Sequence, residues 1–165
     1  MEDHRLNLLQ RMPIFGAIEA QTLEVFLRHA VDVRIPAGDS FFREGDAADA
    51  LFVLERGSVS VVKRWKGRDY PLWDLGAGDC FGEMALIDLF PRSASVVALE
   101  DCSAIRLTNS DLYRVYETDV GQFALIQMNI ARELSRRLRI ADERLFRFRL
   151  EPAIRDEDVG GRFSI

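Results

Sequence analysis

The chain has 165 residues, 48% of them hydrophobic and 30% charged, and carries a formal net charge of -5. A domain of that size buries enough surface to fold without disulfide or metal staples, and the acidic balance excludes a general nucleic-acid binder while leaving room for a local basic face. No apolar run reaches the ~20 residues needed to cross a bilayer, and the N-terminus has no apolar signal-peptide core, so a cytoplasmic location is expected.

Leu6, Leu8 and Leu9 fall in a short helical segment over 3–11, which Met12-Pro13 ends. Ile14-Phe15 reads as an apolar turn anchored to the core. Leu23, Phe26, Leu27 and Ala30 recur at helical spacing and predict a helix over 19–30. It is read either as a cap on a sheet or as a moving element that reports a ligand.

From Val31 the period changes. Strand composition alternates with turns over 31–35, 40–42, 50–54, 58–65, 70–75, 94–99 and 103–107. The turns are rich in Gly and Asp: Pro36-Ala37-Gly38-Asp39, Glu44-Gly45-Asp46, Glu55-Arg56-Gly57, Lys66-Gly67-Arg68-Asp69 and Gly76-Ala77-Gly78-Asp79. Short strands at this density predict a sandwich or jelly roll. Ala37-Gly38-Asp39-Ser40-Phe41 is echoed by Ala77-Gly78-Asp79-Cys80-Phe81, which is expected to mark two equivalent corners of the roll.

The stretch from Phe81 to Val97 carries the chemistry. Gly82 permits a close backbone approach, and Glu83 to Leu89 reads as about two helical turns stopped by Phe90-Pro91. The start of that helix offers N–H groups to an anion. Arg92 offers a planar fork for two phosphate oxygens, and Ser93 a hydroxyl donor. Glu83 is an acceptor and suits a sugar hydroxyl beside the phosphate. Phosphate, sugar and an apolar surround together point to a nucleotide.

Thr108 or Ser110 is placed to cap a helix through Glu117. A longer helix is predicted from about Asp119 to Phe148, with the apolar stripe Phe123, Ile126, Ile130, Leu134, Leu138, Ala141 and Leu145. The stripe advances about 3.67 residues per step, nearer a straight helix than a left-handed coiled coil. This predicts packing on its own domain, or a short crossing with a partner helix. Its arginines, Arg132, Arg136, Arg137, Arg139, Arg144, Arg147 and Arg149, read as a solvated face offset by Glu133, Asp142 and Glu143. The segment 149–165 lacks periodicity and is expected to be a flexible tail.

Cys80 and Cys102 lie in apolar, strand-like contexts and read as buried reduced thiols. Two cysteines cannot build a Cys-rich zinc site, and His4 and His29 are far apart in sequence, so no metal site is assigned. No Ser-His-acid or Cys-His set has plausible spacing, so no catalytic residue is assigned and the chain does not read as an enzyme.

The run Phe-Gly-Glu-Met-Ala-Leu followed by Pro-Arg-Ser-Ala-Ser-Val, set in a roll flanked by helices, resembles the cyclic-nucleotide-binding domain family over about residues 10–147. The fold this implies is mostly β with flanking helices (α+β). It is an antiparallel double-stranded β-helix or jelly roll with N-terminal helices and a long C-terminal helix. Four segments follow: N-terminal helices over 1–30, the β-roll over 31–107 with a phosphate-binding cassette at 81–98, C-terminal helices over 108–148, and the tail over 149–165. The resemblance implies that Glu83 accepts from the ribose 2'-hydroxyl and that Arg92 pairs with the exocyclic phosphate oxygens. Gly82, Met84 or Ala85, Ser93 and Ala94 would add backbone or hydroxyl contacts. It also implies a base lid on the C-terminal helix, from Leu134, Arg136 or Leu138. The implied ligand is cyclic AMP, with cyclic GMP kept open because the Ser93 hydroxyl also suits guanine; no other cofactor is implied.

The implied role is a sensor that signals by movement of the C-terminal helix to an unknown protein effector, with a homodimer through that helix as one arrangement. Only a short tail follows the helix, so direct DNA binding is not expected, nor a membrane partner. The alternative is a repurposed, ligand-free relative serving as a protein-interaction or dimerisation scaffold.

Overall fold

The alternation of buried and exposed residues along the strands sorts them into two layers. The computed structural model describes residues 2–88 and 90–160, with side chains described over 4–88 and 90–150. The elements in order are α1 (Glu2–Gln10), α2 (Ala20–His29), β1 (Val31–Ile35), β2 (Ser40–Phe42), β3 (Ala50–Arg56), β4 (Ser58–Trp65), β5 (Arg68–Gly76), β6 (Cys80–Phe81), β7 (Ser95–Ala98), β8 (Cys102–Thr108), α3 (Asn109–Thr118) and α4 (Val120–Gly160). One turn of 3-10 helix, Pro13–Phe15, joins α1 to α2, and a second, Glu83–Leu86, follows β6.

The strands form two four-stranded antiparallel sheets, ordered β1-β8-β3-β6 and β2-β7-β4-β5. This is the expected mostly-β roll flanked by helices. The expected strands are all present, and β6 is an addition. Two residues are too short to show a period, so β6 is visible only through its pairing, Phe52 with Phe81 and Val53 with Cys80.

Between the sheets lies an apolar core that includes Phe52, Leu54, Val59, Val61, Phe81, Val96, Ala98, Cys102 and Ala104. Four rings gather there: Phe41 meets Phe81 edge-on at 5.0 Å and Phe52 stacks on Phe81 at 5.5 Å. A fully buried ring of this kind contributes roughly 1.5–3 kcal/mol. Leu51, Val53, Ile105 and Leu107 point to the opposite face by strand alternation, and all four are buried. The helical segments add the buried Leu9, Ile14, Phe15, Leu23, Phe26, Leu112, Val115 and Ile126. Cys80 and Cys102 are buried and form no disulfide.

The sequence echo corresponds to two matching corners. Gly38 N donates to Ala98 O at 2.8 Å, and Ala98 N donates back to Asp39 O at 2.8 Å. At the second corner Gly78 N donates to Leu54 O at 2.8 Å, and Leu54 N donates back to Asp79 O at 2.9 Å. Gly38 and Gly78 both take a positive φ, 87° and 94°, which a turn here requires and an L side chain resists.

Thr108 caps α3 in a full capping box with Asp111: Asp111 N donates to Thr108 Oγ1 and Thr108 N donates to Asp111 Oδ2. The chain divides into two compact units, 1–129 and 130–165, with the boundary inside α4. α4 has 41 residues, about 60 Å at ~1.5 Å per residue. It runs past the expected end at Phe148 and through part of the expected tail, continuing across Pro152. Residues 161–165 of that tail lie outside the described residues. The apolar stripe is buried at Ile126 and Ile130, but Leu138 and Leu145 are exposed.

Candidate functional site

β6 ends at Phe81, and the chain then turns through Gly82 at φ 79°. An added Cβ there would stand 2.6 Å from Arg92 Nη1 and 3.2 Å from the Ala50 carbonyl oxygen. The close approach that Gly82 permits is therefore to Arg92. Gly82 leads into the 3-10 turn Glu83–Leu86, closed by Ala85 N donating to Gly82 O at 3.2 Å and Ile87 N to Met84 O at 2.9 Å. The expected two-turn α-helix over 83–89 is thus one tighter turn, with Leu89 outside the described residues. Glycine before the turn and Pro91 soon after it leave no length to nucleate a full α-helix.

Arg92 is 7% exposed and Glu83 3%. Arg92 Nη2 donates to Ala50 O at 2.8 Å and Nη1 to Gly82 O at 3.2 Å. Its guanidinium lies 4.0 Å from the Phe42 ring centre and 5.9 Å from that of Phe52. Nε is buried and has no hydrogen-bond partner. Burial pulls the guanidinium below its usual pKa; Asp49 is the largest opposing influence, Arg106 adds to the lowering, and Asp46 and Glu83 oppose it. The backbone of Arg92 is pinned by the 43–46 turn, with Arg92 N donating to Asp46 O at 2.8 Å and Gly45 N to Arg92 O at 2.9 Å.

The remaining expected residues surround this centre. Met84 is exposed, and Ser93, also exposed, places its Oγ 3.9 Å from the Met84 sulfur. The Ser93 carbonyl accepts from Lys63 Nζ at 3.0 Å, and Lys63 in turn pairs with Glu44 at 3.4 Å. Ala85 is buried, and its carbonyl accepts from Asn109 Nδ2 at 3.1 Å. Ala94 packs against the inter-sheet core. Gly82, Glu83, Met84, Ala85, Arg92, Ser93 and Ala94 therefore converge on one corner of the roll. The arrangement offers a buried cation with a spare donor, a buried carboxylate and an exposed apolar rim.

Residues 32–119, more than half of the chain, match the family described as the cyclic nucleotide-binding domain. This chain belongs to that family. It is 34% identical over 131 residues to the cyclic AMP receptor protein of Thermus thermophilus, a match covering 79% of this chain and 59% of that protein. A CRP-like cAMP-activated global transcriptional regulator of Mycobacterium tuberculosis is 29% identical over 140 residues, covering 84% of this chain and 61% of the regulator. The crystal structure of the Thermus thermophilus catabolite activator protein superposes with a TM-score of 0.73 at 32% identity, over 84% of this chain and 64% of that one.

The chain thus spans about 60% of the length of the curated relatives it matches first. It is a cyclic-nucleotide-binding regulatory domain, and these relatives are receptor and regulator proteins by name. The expectation of no direct DNA binding gains no support from them, because one is a transcriptional regulator. No helix of the described residues is long and apolar enough to cross a membrane.

The candidate lid residues Leu134, Arg136 and Leu138 lie on α4 within the second unit. Leu138 is 62% exposed, and Arg136 is engaged by Glu133, with Nη2 donating to Glu133 Oε1 at 2.6 Å. Sequence reasoning missed Phe42, Ala50, Asp46, Asp49, Lys63 and Asn109 as neighbours of the 82–94 segment. The Glu44-Gly45-Asp46 turn was visible as a turn, but its grip on Arg92 joins residues far apart in the chain. Asn109 carried no signal in the sequence beyond its place between Thr108 and Ser110, the two candidate caps.

Proposed function

We propose that this domain binds cyclic AMP through the segment 82–94 and reports it through the C-terminal helix. The observation that carries the reading is the buried, unpartnered Nε of Arg92, beside a glycine that cannot be enlarged without touching the same guanidinium. A buried cationic donor left without an acceptor is costly, and a phosphate oxygen supplies that acceptor with charge to match. The longer of its two present bonds, to Gly82 O at 3.2 Å, is the one a phosphate most readily replaces. Glu83, buried and charge-coupled to Arg92, takes the ribose hydroxyl. Ser93 adds its hydroxyl at the exposed rim. Cyclic AMP is preferred to cyclic GMP because the relatives are, by name, a cyclic AMP receptor protein and a cAMP-activated regulator. Movement of the 83–86 turn passes to α3 through Asn109.

A second reading rests on the same arginine. With two donors already satisfied by backbone carbonyls and its face on Phe42, Arg92 also serves a ligand-free scaffold. Thermal shift with cyclic AMP, cyclic GMP and 5'-AMP, on wild type and Arg92→Ala, separates the two. Ligand at about 100 times its dissociation constant stabilises by about 2.7 kcal/mol, and the shift is expected with cyclic AMP in the wild type alone. Absence of a shift with either cyclic nucleotide leaves the scaffold reading standing.

A further inference from the structure

On the outer face of the first sheet, Ser103 stands opposite Arg34 of β1 on one side and Arg56 of β3 on the other. Its neighbours Cys102 and Ala104 point into the inter-sheet core, so Ser103 faces outward by strand alternation. Arg34 lies directly opposite Ser103 and shares its face; Arg56 meets Ser103 across a register shift after Leu54, where strict alternation breaks, and is placed beside it by the cleft that both line, with two ladder spacings separating the arginine backbones by about 10 Å. In the adjoining charged group Arg5 of α1 pairs with both Asp32 and Glu55 at 2.8 Å. Arg34 and Arg56 have no such neutralisation: among the described residues neither has an ion-pair partner.

These residues line an open cleft of about 440 Å³. Its walls are tied in place. The turn after β1 is held by Ala37 N donating to Asp101 Oδ1 at 3.0 Å. The β3–β4 turn is held by the Cys102 thiol donating to Ser58 O at 3.3 Å and by Ser58 Oγ donating to Glu100 Oε1 at 2.8 Å. Gly57 permits this contact, since a Cβ there would stand 2.6 Å from Cys102 Sγ. The cleft is of the size of a small-molecule site, and its rigid walls lower the cost of ordering a ligand.

We propose that this cleft is a second ligand site, separate from the cassette, for a small phosphomonoester bearing hydroxyl groups. Arg34 and Arg56 clamp the phosphate with charge-assisted donors, and the Ser103 hydroxyl donates between them. Ile35 and Pro36 give the ligand body an apolar wall. Asp101, also lining the cleft, accepts from a ligand hydroxyl, which is why a bare anion fits less well than a phosphorylated polyol.

The test is titration of the full chain with ribose 5-phosphate, followed through backbone amide resonances. Saturable shifts centred on Arg34, Arg56 and Ser103 are expected. The Arg34→Gln/Arg56→Gln pair, exposed and free of ion pairs, should fold as the wild type does and bind at least roughly tenfold more weakly. Ser103→Ala should weaken binding less, and Arg92→Ala should leave it unchanged. Inorganic phosphate should move the same resonances with lower affinity. The assignment is overturned if no saturable shift occurs. It is equally overturned if Arg92→Ala abolishes the shift while the double variant keeps it, or if inorganic phosphate binds as tightly as ribose 5-phosphate.

Discussion

Gly82 and Arg92 compete for one volume: the guanidinium of the second occupies the space a side chain on the first would need. Gly82→Ala must therefore pay twice, for a left-handed backbone at φ 79° and for displacing Nη1 from 2.6 Å. The backbone part alone is about 1–2 kcal/mol. The variant is expected to unfold at lower urea concentration and to bind cyclic nucleotide more weakly than wild type. Calorimetric titration beside urea unfolding checks both. Unchanged affinity would show that Arg92 can shift without loss to the site.

Gly57→Ala should be among the most damaging glycine changes in the roll. Its Cβ would meet Cys102 Sγ at 2.6 Å and the Asp101 carbonyl at 2.9 Å, with φ at 94°. Left-handed strain and overpacking together predict a loss of about 2–5 kcal/mol. Gly78→Ala shares the strain, with φ also 94°, but has open space around it, so about 1–2 kcal/mol is expected. Equal losses in urea unfolding would mean that the contact with Cys102 carries no weight.

Asn109→Ala removes the hydrogen bond from Nδ2 to the Ala85 carbonyl. The expected cost is about 0.5–1.5 kcal/mol, felt locally at the 83–86 turn. Amide exchange at Ala85, Ile87 and Asp88 should quicken by up to roughly tenfold, while strand amides of β3 and β8 stay protected. Acceleration spread evenly over the chain would instead indicate a global effect.

Glu133 governs an acid-sensitive contribution to α4. Hydrogen bonding from Arg136, through two bonds, is the leading cause that holds its carboxyl below the ordinary value, burial opposes it, and Arg137 adds a third bond at 3.0 Å. A carboxylate with a lowered folded-state pKa stabilises above its unfolded pKa and loses that contribution as pH falls through the folded value. Wild-type melting temperature should therefore fall on acidification below about pH 4. Glu133→Gln should show a smaller fall over that window. Parallel curves would place the acid sensitivity elsewhere.

Much of the roll was legible because its signals are local. Val31–Ile35, Ser40–Phe42 and Ser58–Trp65 agree with their strands residue for residue, since period-two patterning and glycine turns act within a few residues. β6 escaped because two residues hold no period. The cassette was legible as a set of residues, Gly82, Glu83 and Arg92, but not in its posture. Nothing near Arg92 in sequence announces that its fork would be turned onto Ala50 and Phe42, which lie 42 and 50 positions away. α4 differs at its far end, where the helix continues past Phe148 although Pro152 argues locally for a stop.

The matched corners at Gly38-Asp39 and Gly78-Asp79 carry one more consequence. Counting on from each, Phe42 and Gly82 hold equivalent places after the two turns. The first is a ring and the second has no side chain, and Arg92 lies against the ring of Phe42 and in the space left by Gly82. Two equivalent places that differ in bulk thus hold one charge: one supplies an aromatic face and the other supplies the room.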